Sequence, residues 1–437
     1  MRCFEGDPSR QFVRMTGRVR AMILVAAVVI LGGCEGLLDA EPDPHLVDVN
    51  EDPPQLEESM VGAKVDLNYA YDLWMYASGM FAGDLVAVGR LRFQLSTRRV
   101  DDNAGVSGGF SGGRSRPGPT PPWYSYLQTA VASADRVQQR ILDGDFDQIS
   151  DPSNSPEVAR VSVYKGFAMT WLADMYCNIA FLNQGPLMTS EEAYRRAAEQ
   201  FEVALQAANV EPVMEQAALI GMARVHRLVG EEQAAVNYAE QVDPGAEFLA
   251  TYSSNTVEQQ NHIWFRTWSF GEHSIAPSYR GLTVDGSDAP DPRVRLELNP
   301  VPPRGSDDDV YAPWKVSTAG TPLRIASGVE ARYIIAEALL DQNPERVVEI
   351  INEVREQRGL DTDWEPAGDD PNEIRDKLLE ERRRTLFLEG TRMGDVRLYL
   401  EKYGLDFFHQ VIPQGVSVAD ETCFPLPLRE RENNPGI

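Results

Sequence analysis

The chain has 437 residues, with 41 basic and 67 acidic side chains, a net charge of −26, and 43% hydrophobic residues. That length supports a large core in one or two domains. The acidity argues against nucleic acid as a partner, because nothing offsets phosphate repulsion, and it disfavours adhesion to anionic lipid head groups.

Arg14, Arg18 and Arg20 precede an apolar run from Ala21 to Leu31, which ends in Gly32-Gly33-Cys34. A basic start, a short apolar core and small residues before a cleavage point make a secretory signal. The run spans only about 16 Å at ~1.5 Å per residue, too short for a bilayer core of about 30 Å. The cysteine at the cleavage point predicts a bacterial lipoprotein: residues 1–33 are removed and Cys34 is acylated. Several acyl chains are needed for firm anchoring, since one chain holds only marginally. The best-shaped signal begins at Met15, which leaves the true start, Met1 or Met15, open. Without residues 1–33, which carry five Arg and two acids, 36 basic face 65 acidic residues, a net charge of −29.

Residues 34–54 are acidic and contain Pro42, Pro44, Pro53 and Pro54, the composition of an extended tether. Helical patterning runs from about Gln55 to Met80. Residues 83–122 read as a long surface loop, with glycines between Gly105 and Gly113 and then Pro117, Pro119, Pro121 and Pro122. The loop lacks the Gly-Lys-Ser/Thr ending of a phosphate cradle. Leu127, Val131, Ala134, Val137 and Ile141 form the next helical stripe, and Pro156 opens another with Val163, Phe167 and Trp171. From Glu191 to Val242 three short helices carry Ala193, Ala197, Phe201, Ala204 and Leu205; then Ala217, Ala218, Gly221, Ala223, Val225 and Leu228; then Ala234, Ala235, Tyr238 and Ala239. Small residues at the close contacts resemble a tetratricopeptide unit, in which stacked hairpins bury a continuous core.

The pattern breaks over residues 251–327. His262 to Phe270 alternates and predicts a strand with Trp264, Arg266, Trp268 and Phe270 on one face. Prolines and the acidic run Asp307-Asp308-Asp309 follow, read as a hydrated loop rather than a calcium site. Helices return at Gly328. Asn343-Pro344 and Asp370-Pro371 are cap signals, Gly359 is a stop, and a helix through Ile374, Leu378, Leu379 and Leu386 ends near Gly390. The fold class is therefore mostly α: a tetratricopeptide-like helical-hairpin scaffold (55–82, 123–250, 328–403) with a loop-rich, ligand-facing subdomain (83–122, 251–327) containing a few short strands.

No catalytic or metal motif stands out. His45, His226, His262, His273 and His409 are scattered, with no pair at metal-ligand spacing and no Gly-x-Ser-x-Gly elbow. No metal and no cofactor is expected. Glu381, Arg382, Arg383, Glu389, Arg392, Asp395 and Arg397 mix acids with bases and read as structural ion pairs and caps, since buried acids persist mostly when paired. Cys177 and Cys423 could form one bridge or stay as two buried thiols.

In combination these residues resemble the RagB/SusD family of outer-membrane nutrient-uptake lipoproteins. The matching stretches are Tyr333 to Leu340, Ile351 to Leu360, Glu381-Arg382-Arg383, Phe387 to Arg392 with Asp395-Val396-Arg397, and Phe424-Pro425-Leu426-Pro427 with Glu430, Asn434 and Pro435. Asp291-Pro292-Arg293 also stands in place. Leu388 interrupts the family's Phe-Glu pair. The resemblance implies a non-enzymatic, cell-surface, outer-membrane lipoprotein. It would bind an oligosaccharide, or in some members a peptide, and act with a SusC-like TonB-dependent receptor. Sugars stack their C–H faces on aromatic rings, so the candidate ligand-binding residues are Trp268, Phe270, Tyr279, Trp314 and Phe93, with Arg280 and Arg266 near. Trp123 and Trp264 read as core, whereas Trp268, Phe270 and Tyr279 are equally consistent with core or ligand contact. A tetratricopeptide lipoprotein for envelope assembly and a lipid-anchored glycan hydrolase are the competing readings. The hydrolase would need two acids within ~10 Å across a cleft.

Overall fold

The computed structural model describes residues 55–88, 122–183, 185–207, 209–285, 287–300, 309–360, 364–367, 370–408 and 421–437. Cys34, Phe93, Asp307, Asp308 and the glycine-rich stretch from Gly105 to Gly113 lie outside these residues, as does the expected tether. Gln55–Ile437 forms one unit.

Its scaffold is a run of helices, each packed on the one before. Helix α1 (Leu56–Ala82) starts where Glu58 reaches back to the Gln55 N–H at 2.7 Å, and it stops at Gly83 in the left-handed conformation. Helix α2 (Pro122–Leu142) lies on α1. Helix α3 (Pro156–Met175) is capped by Ser155, whose Oγ accepts from Val158 N–H at 3.1 Å. A proline at the first position loses nothing there, because that N–H has no helical partner anyway. A two-residue ladder, β2 (Asn178–Ile179) against β3 (Met188–Thr189), turns the chain into α4 (Ser190–Gln206). Helices α5 (Pro212–Leu228) and α6 (Glu232–Ala239) complete the run. A close contact is present at Gly221, as expected, and another at Gly166, whereas Gly230 meets no neighbour. The Phe201 ring of α4 lies so close to Gly166 of α3 and Gly221 of α5 that a Cβ would come within 2.7 and 2.5 Å of it. Aromatic rings fill the α1–α3 seam, where Trp74 and Trp171 stack at 5.5 Å.

The remaining helices close back over this run. Strand β4 (Glu247–Ala250) pairs antiparallel with β8 (Leu323–Ser327), which leads directly into α7 (Gly328–Leu339). Helix α7 packs on α5 and α6, and α8 (Pro344–Gln357) and α9 (Pro371–Thr385) pack on α7. The cap signals hold: Asn343 accepts from Arg346 N–H, Asp370 accepts from Asn372 N–H, and Gly359 takes a positive φ. Helix α9 ends at Thr385, earlier than expected. A turn through Leu388 and Gly390, both at positive φ, then leads to α10 (Arg392–Tyr403), which packs on α1 and α3. A short helix, α11 (Leu428–Asn433), lies near the chain end.

Two expectations are corrected. The start of the presumed surface loop is interior: β1 (Leu85–Ala87) is buried and pairs with β5 (His273–Ile275). The segment from His262 to Phe270 is helical, not a strand. One α-turn (His262–Trp264) runs into a π-helix over Phe265–Ser269. Two caps override the alternation: Asn261 Oδ1 accepts from Trp264 N–H at 3.1 Å, and the Asp72 carboxylate accepts from His262 N–H. The buried set, Ile263, Arg266 and Thr267, follows helical spacing.

Candidate ligand-binding surface

Strands β6 (Leu296–Leu298) and β7 (Tyr311–Pro313) form an antiparallel ribbon that pairs Leu296 with Pro313 and Leu298 with Tyr311. Leu296 and Leu298 lie on the same face of β6; Leu296 packs against the core, while Leu298, at the other end of the strand, is 57% exposed. Trp314 follows β7 and is 46% exposed, a large value for a ring of that size. The Arg295 guanidinium sits 4.2 Å from the Trp314 ring centroid and also pairs with Glu297 at 2.8 Å. Arg280 lies 4.4 Å from the Tyr311 ring and donates to Ile275 O and Ser274 Oγ. Trp268 is half-buried, and its Nε1 donates to Pro313 O at 3.1 Å, next to Trp314. Phe270, also half-buried, packs on Phe265 at 4.9 Å.

Two further candidates fall elsewhere. Tyr279 is 1% exposed, so its assignment as a ligand contact is corrected to core. Its hydroxyl donates to Asp84 Oδ1 at 2.6 Å, and its ring lies between Phe387 and the Arg383 guanidinium. Arg266 is buried rather than facing solvent. It pairs with Glu272 at 2.9 Å and donates to His262 Nε2 at 3.1 Å. Of the two tryptophans read as core, Trp123 is fully buried and Trp264 is half-buried against the core.

Several charged residues of the second half are held in buried ion pairs. Glu381 on α9 accepts from Arg293 at 2.5 Å, Arg355 at 2.9 Å and Lys377 at 2.8 Å. Burial works to raise its carboxyl, but Arg293 and Lys377 outweigh burial and hold it below the usual range. Asp395 on α10 accepts from Arg227 at 2.8 Å and Arg382 at 3.0 Å; burial opposes ionisation there too, and the two arginines prevail. Glu389 takes Lys315 at 2.5 Å and Arg324 at 3.1 Å. Arg224 forks onto Glu330 at 2.7 and 2.6 Å. A general acid needs a raised carboxyl facing a cleft, and Glu381, Glu389 and Asp395 are instead held down by cations. Among the described residues no group of three or more His, Cys, Asp or Glu is placed to hold a metal ion.

Comparison with solved structures shows where this architecture recurs. A SusD superfamily protein from Bacteroides vulgatus shares 17% identity, with a TM-score of 0.60 over 87% of this chain and 98% of that one. A SusD superfamily protein from Bacteroides fragilis gives 13% and 0.60 over the same shares. The chain has the SusD superfamily fold. A SusD-like carbohydrate binding protein from Bacteroides vulgatus matches at 15% identity and a TM-score of 0.58, over 78% of this chain and 82% of that one. A structure described with a xylogluco-oligosaccharide matches at 11% and 0.58, over 87% and 97%. No family model and no curated protein sequence matches the chain.

Within the SusD fold the matching motifs serve as joints. The Tyr333–Leu340 stretch forms the second half of α7 and its cap, and there Glu337 accepts from Arg227. Arg397 donates to the carbonyls of Ala173 and Asp174 at the end of α3. The Phe424 backbone bridges to Tyr176, and Asn434 Nδ2 donates to Glu430 and to Gly185 O. Cys177 and Cys423 are joined in a disulfide, which decides between the two open possibilities. Sequence reasoning missed Arg295, Leu298 and Asn299, which carry no motif and gain meaning only from the ribbon.

Not every buried acid is held down by cations: burial raises Asp72, Asp84 and Asp174. A cleft of ≈ 520 Å³, lined by Ser190, Tyr194, Leu228, Gly394, Arg397 and Lys402, lies on the helical scaffold and contains none of the ribbon aromatics. Beside it, Asp174 accepts from Tyr194 Oη at 2.7 Å. Burial pushes its carboxyl up to about 6 despite that hydrogen bond and the nearby Arg224 and Arg397. A folded value above the unfolded 3.8 means the folded state binds this proton more tightly, so the group's contribution is present at low pH and is lost as pH rises through 6. Asp174→Asn removes that dependence and keeps an acceptor for Tyr194. The variant's stability relative to wild type should therefore rise by up to about 3 kcal/mol between pH 4 and pH 7. Urea midpoints at both pH values measure it, and a difference that stays flat with pH contradicts the assignment.

Proposed function

We propose that this protein is an outer-membrane lipoprotein, anchored through acylated Cys34 and facing outward, that binds an oligosaccharide and passes it to a SusC-like TonB-dependent receptor. The observation that carries the reading is the likeness over 87% of this chain to a SusD superfamily structure and to a structure described with a xylogluco-oligosaccharide. The ribbon supplies what sugar binding requires. The exposed Trp314 offers a face to sugar C–H groups, Trp268 and Phe270 extend the apolar area, and Arg295 and Glu297 are polar groups within reach of hydroxyls. Binding without turnover fits the signature acids Glu381, Glu389 and Asp395, which are paired with arginine and lysine.

Calorimetry against a panel of glycans and peptides tests the reading. One glycan class should bind, and Trp314→Ala should weaken it at least about tenfold, or ~1.4 kcal/mol, without lowering the unfolding midpoint. Binding of peptides alone would transfer the cargo to that class. Turnover of a panel member, or unchanged binding by the variant, would refute it. Mass spectrometry of the mature amino terminus tests acylation of Cys34, and copurification from membranes tests the receptor.

A further inference from the structure

The turn that carries Trp268 has an uncommon conformation. The π-helix over Phe265–Ser269 is closed by Phe270 N–H donating to Phe265 O at 2.8 Å. A helix end leaves its last carbonyls without partners inside the helix, and π-helical turns are rare, mostly single, and frequent at functional sites. Here the carbonyls of Thr267 and Trp268 both accept from one side-chain nitrogen, Asn299 Nδ2, at 2.6 and 2.9 Å. Asn299 is only 7% exposed and belongs to another element. It directly follows β6, and its backbone N–H donates to Val310 O at 2.8 Å, beside the Leu298–Tyr311 rung. One residue thus ends the ladder that presents Leu298 and Trp314 and caps the turn that presents Trp268. The Trp268 indole completes the joint by donating to Pro313 O.

We propose that Asn299 is a positioning residue for the ligand surface: its amide locks the Trp268 turn to the Trp314 ribbon, so that both indoles form one preformed platform. The residue type suits the task. Two converging carbonyls need two donors from one point; asparagine has them on a single nitrogen, serine offers one donor, and ionised aspartate none. A surface fixed before binding has no side-chain or loop ordering left to oppose association. The ligand half of this inference rests on the glycan reading, whereas the locking half does not.

The test uses the full chain, Asn299→Asp and Asn299→Ala variants, and NMR exchange of the Trp268 indole N–H and the Phe270 amide. Both protons should exchange at least ~tenfold faster in the variants at a temperature where all forms stay folded. The Kd for whichever glycan the wild type binds should rise at least ~tenfold. Trp314→Ala should raise Kd and leave the exchange rates alone. Should Asn299→Asp not fold, Asn299→Ala carries the same measurement. Unchanged exchange overturns the lock, and wild-type Kd in a variant with accelerated exchange overturns its role in binding. If the wild type binds no glycan, the functional reading fails while the exchange rates still decide the lock.

Discussion

Replacing Asp395 with alanine should destabilise the protein by about 3–5 kcal/mol, the cost of leaving buried charge uncompensated. Its carboxylate accepts from Arg227 through one oxygen and from Arg382 through the other. Arg227 would keep Glu337 and Tyr399, at 2.8 and 3.0 Å from its Nη2. Arg382 is worse placed: it is 1% exposed, and its Nη1 has no hydrogen-bond partner among the described residues. The pair also joins elements distant in sequence, since Arg227 ends α5 and Asp395 opens α10. Urea unfolding measures the loss. Removing both charges in Asp395→Ala/Arg382→Met should recover part of it, because a buried pair replaced by apolar groups is often neutral. A loss under about 1 kcal/mol for the single variant would show that the pair is screened by water.

The second large effect concerns the disulfide between Cys177 and Cys423, 246 residues apart. Closing so long a loop restricts the unfolded chain, and loop entropy sets a ceiling of about 5 kcal/mol on the stabilisation. The native geometry is already held by backbone: Cys177 N–H donates to Phe424 O at 2.9 Å and Phe424 N–H to Met175 O at 2.8 Å. The reduced protein should therefore keep its fold and unfold at lower urea. Reductant should lower the wild-type midpoint and leave Cys177→Ser/Cys423→Ser unchanged, with the variant close to reduced wild type. Equal midpoints for oxidised and reduced wild type would contradict the entropic account.

Much of the scaffold was legible because its signals are local. Pro156 at a helix start, Asn343-Pro344, and Gly359 after a periodic stripe each report on a few neighbouring backbone groups. The mixed acids and bases of α9 and α10 were readable as ion pairs, but not their partners. Arg227 and Arg293 approach from 168 and 88 residues away, and spacing carries no trace of that. The stretch from His262 to Phe270 was misread because alternation and helical spacing coincide over nine residues, and the deciding cap, Asp72, comes from α1. Tyr279 failed for a related reason. Its hydroxyl partner, Asp84, lies 195 residues away, so core and ligand contact could not be told apart for this tyrosine. Trp314 was a candidate by residue type alone; the ribbon that exposes it could not be seen, because three-residue strands give almost no periodic signal.

The Phe201 ring wedged between Gly166 and Gly221 also constrains how this lineage can vary. A methyl group at either glycine collides with the ring, while a smaller residue at 201 leaves a void between three helices. The three positions therefore form a single heritable unit. Drift should retain all of them together or exchange them jointly, with alanine at 166 or 221 tolerated only in chains whose residue 201 has already shrunk.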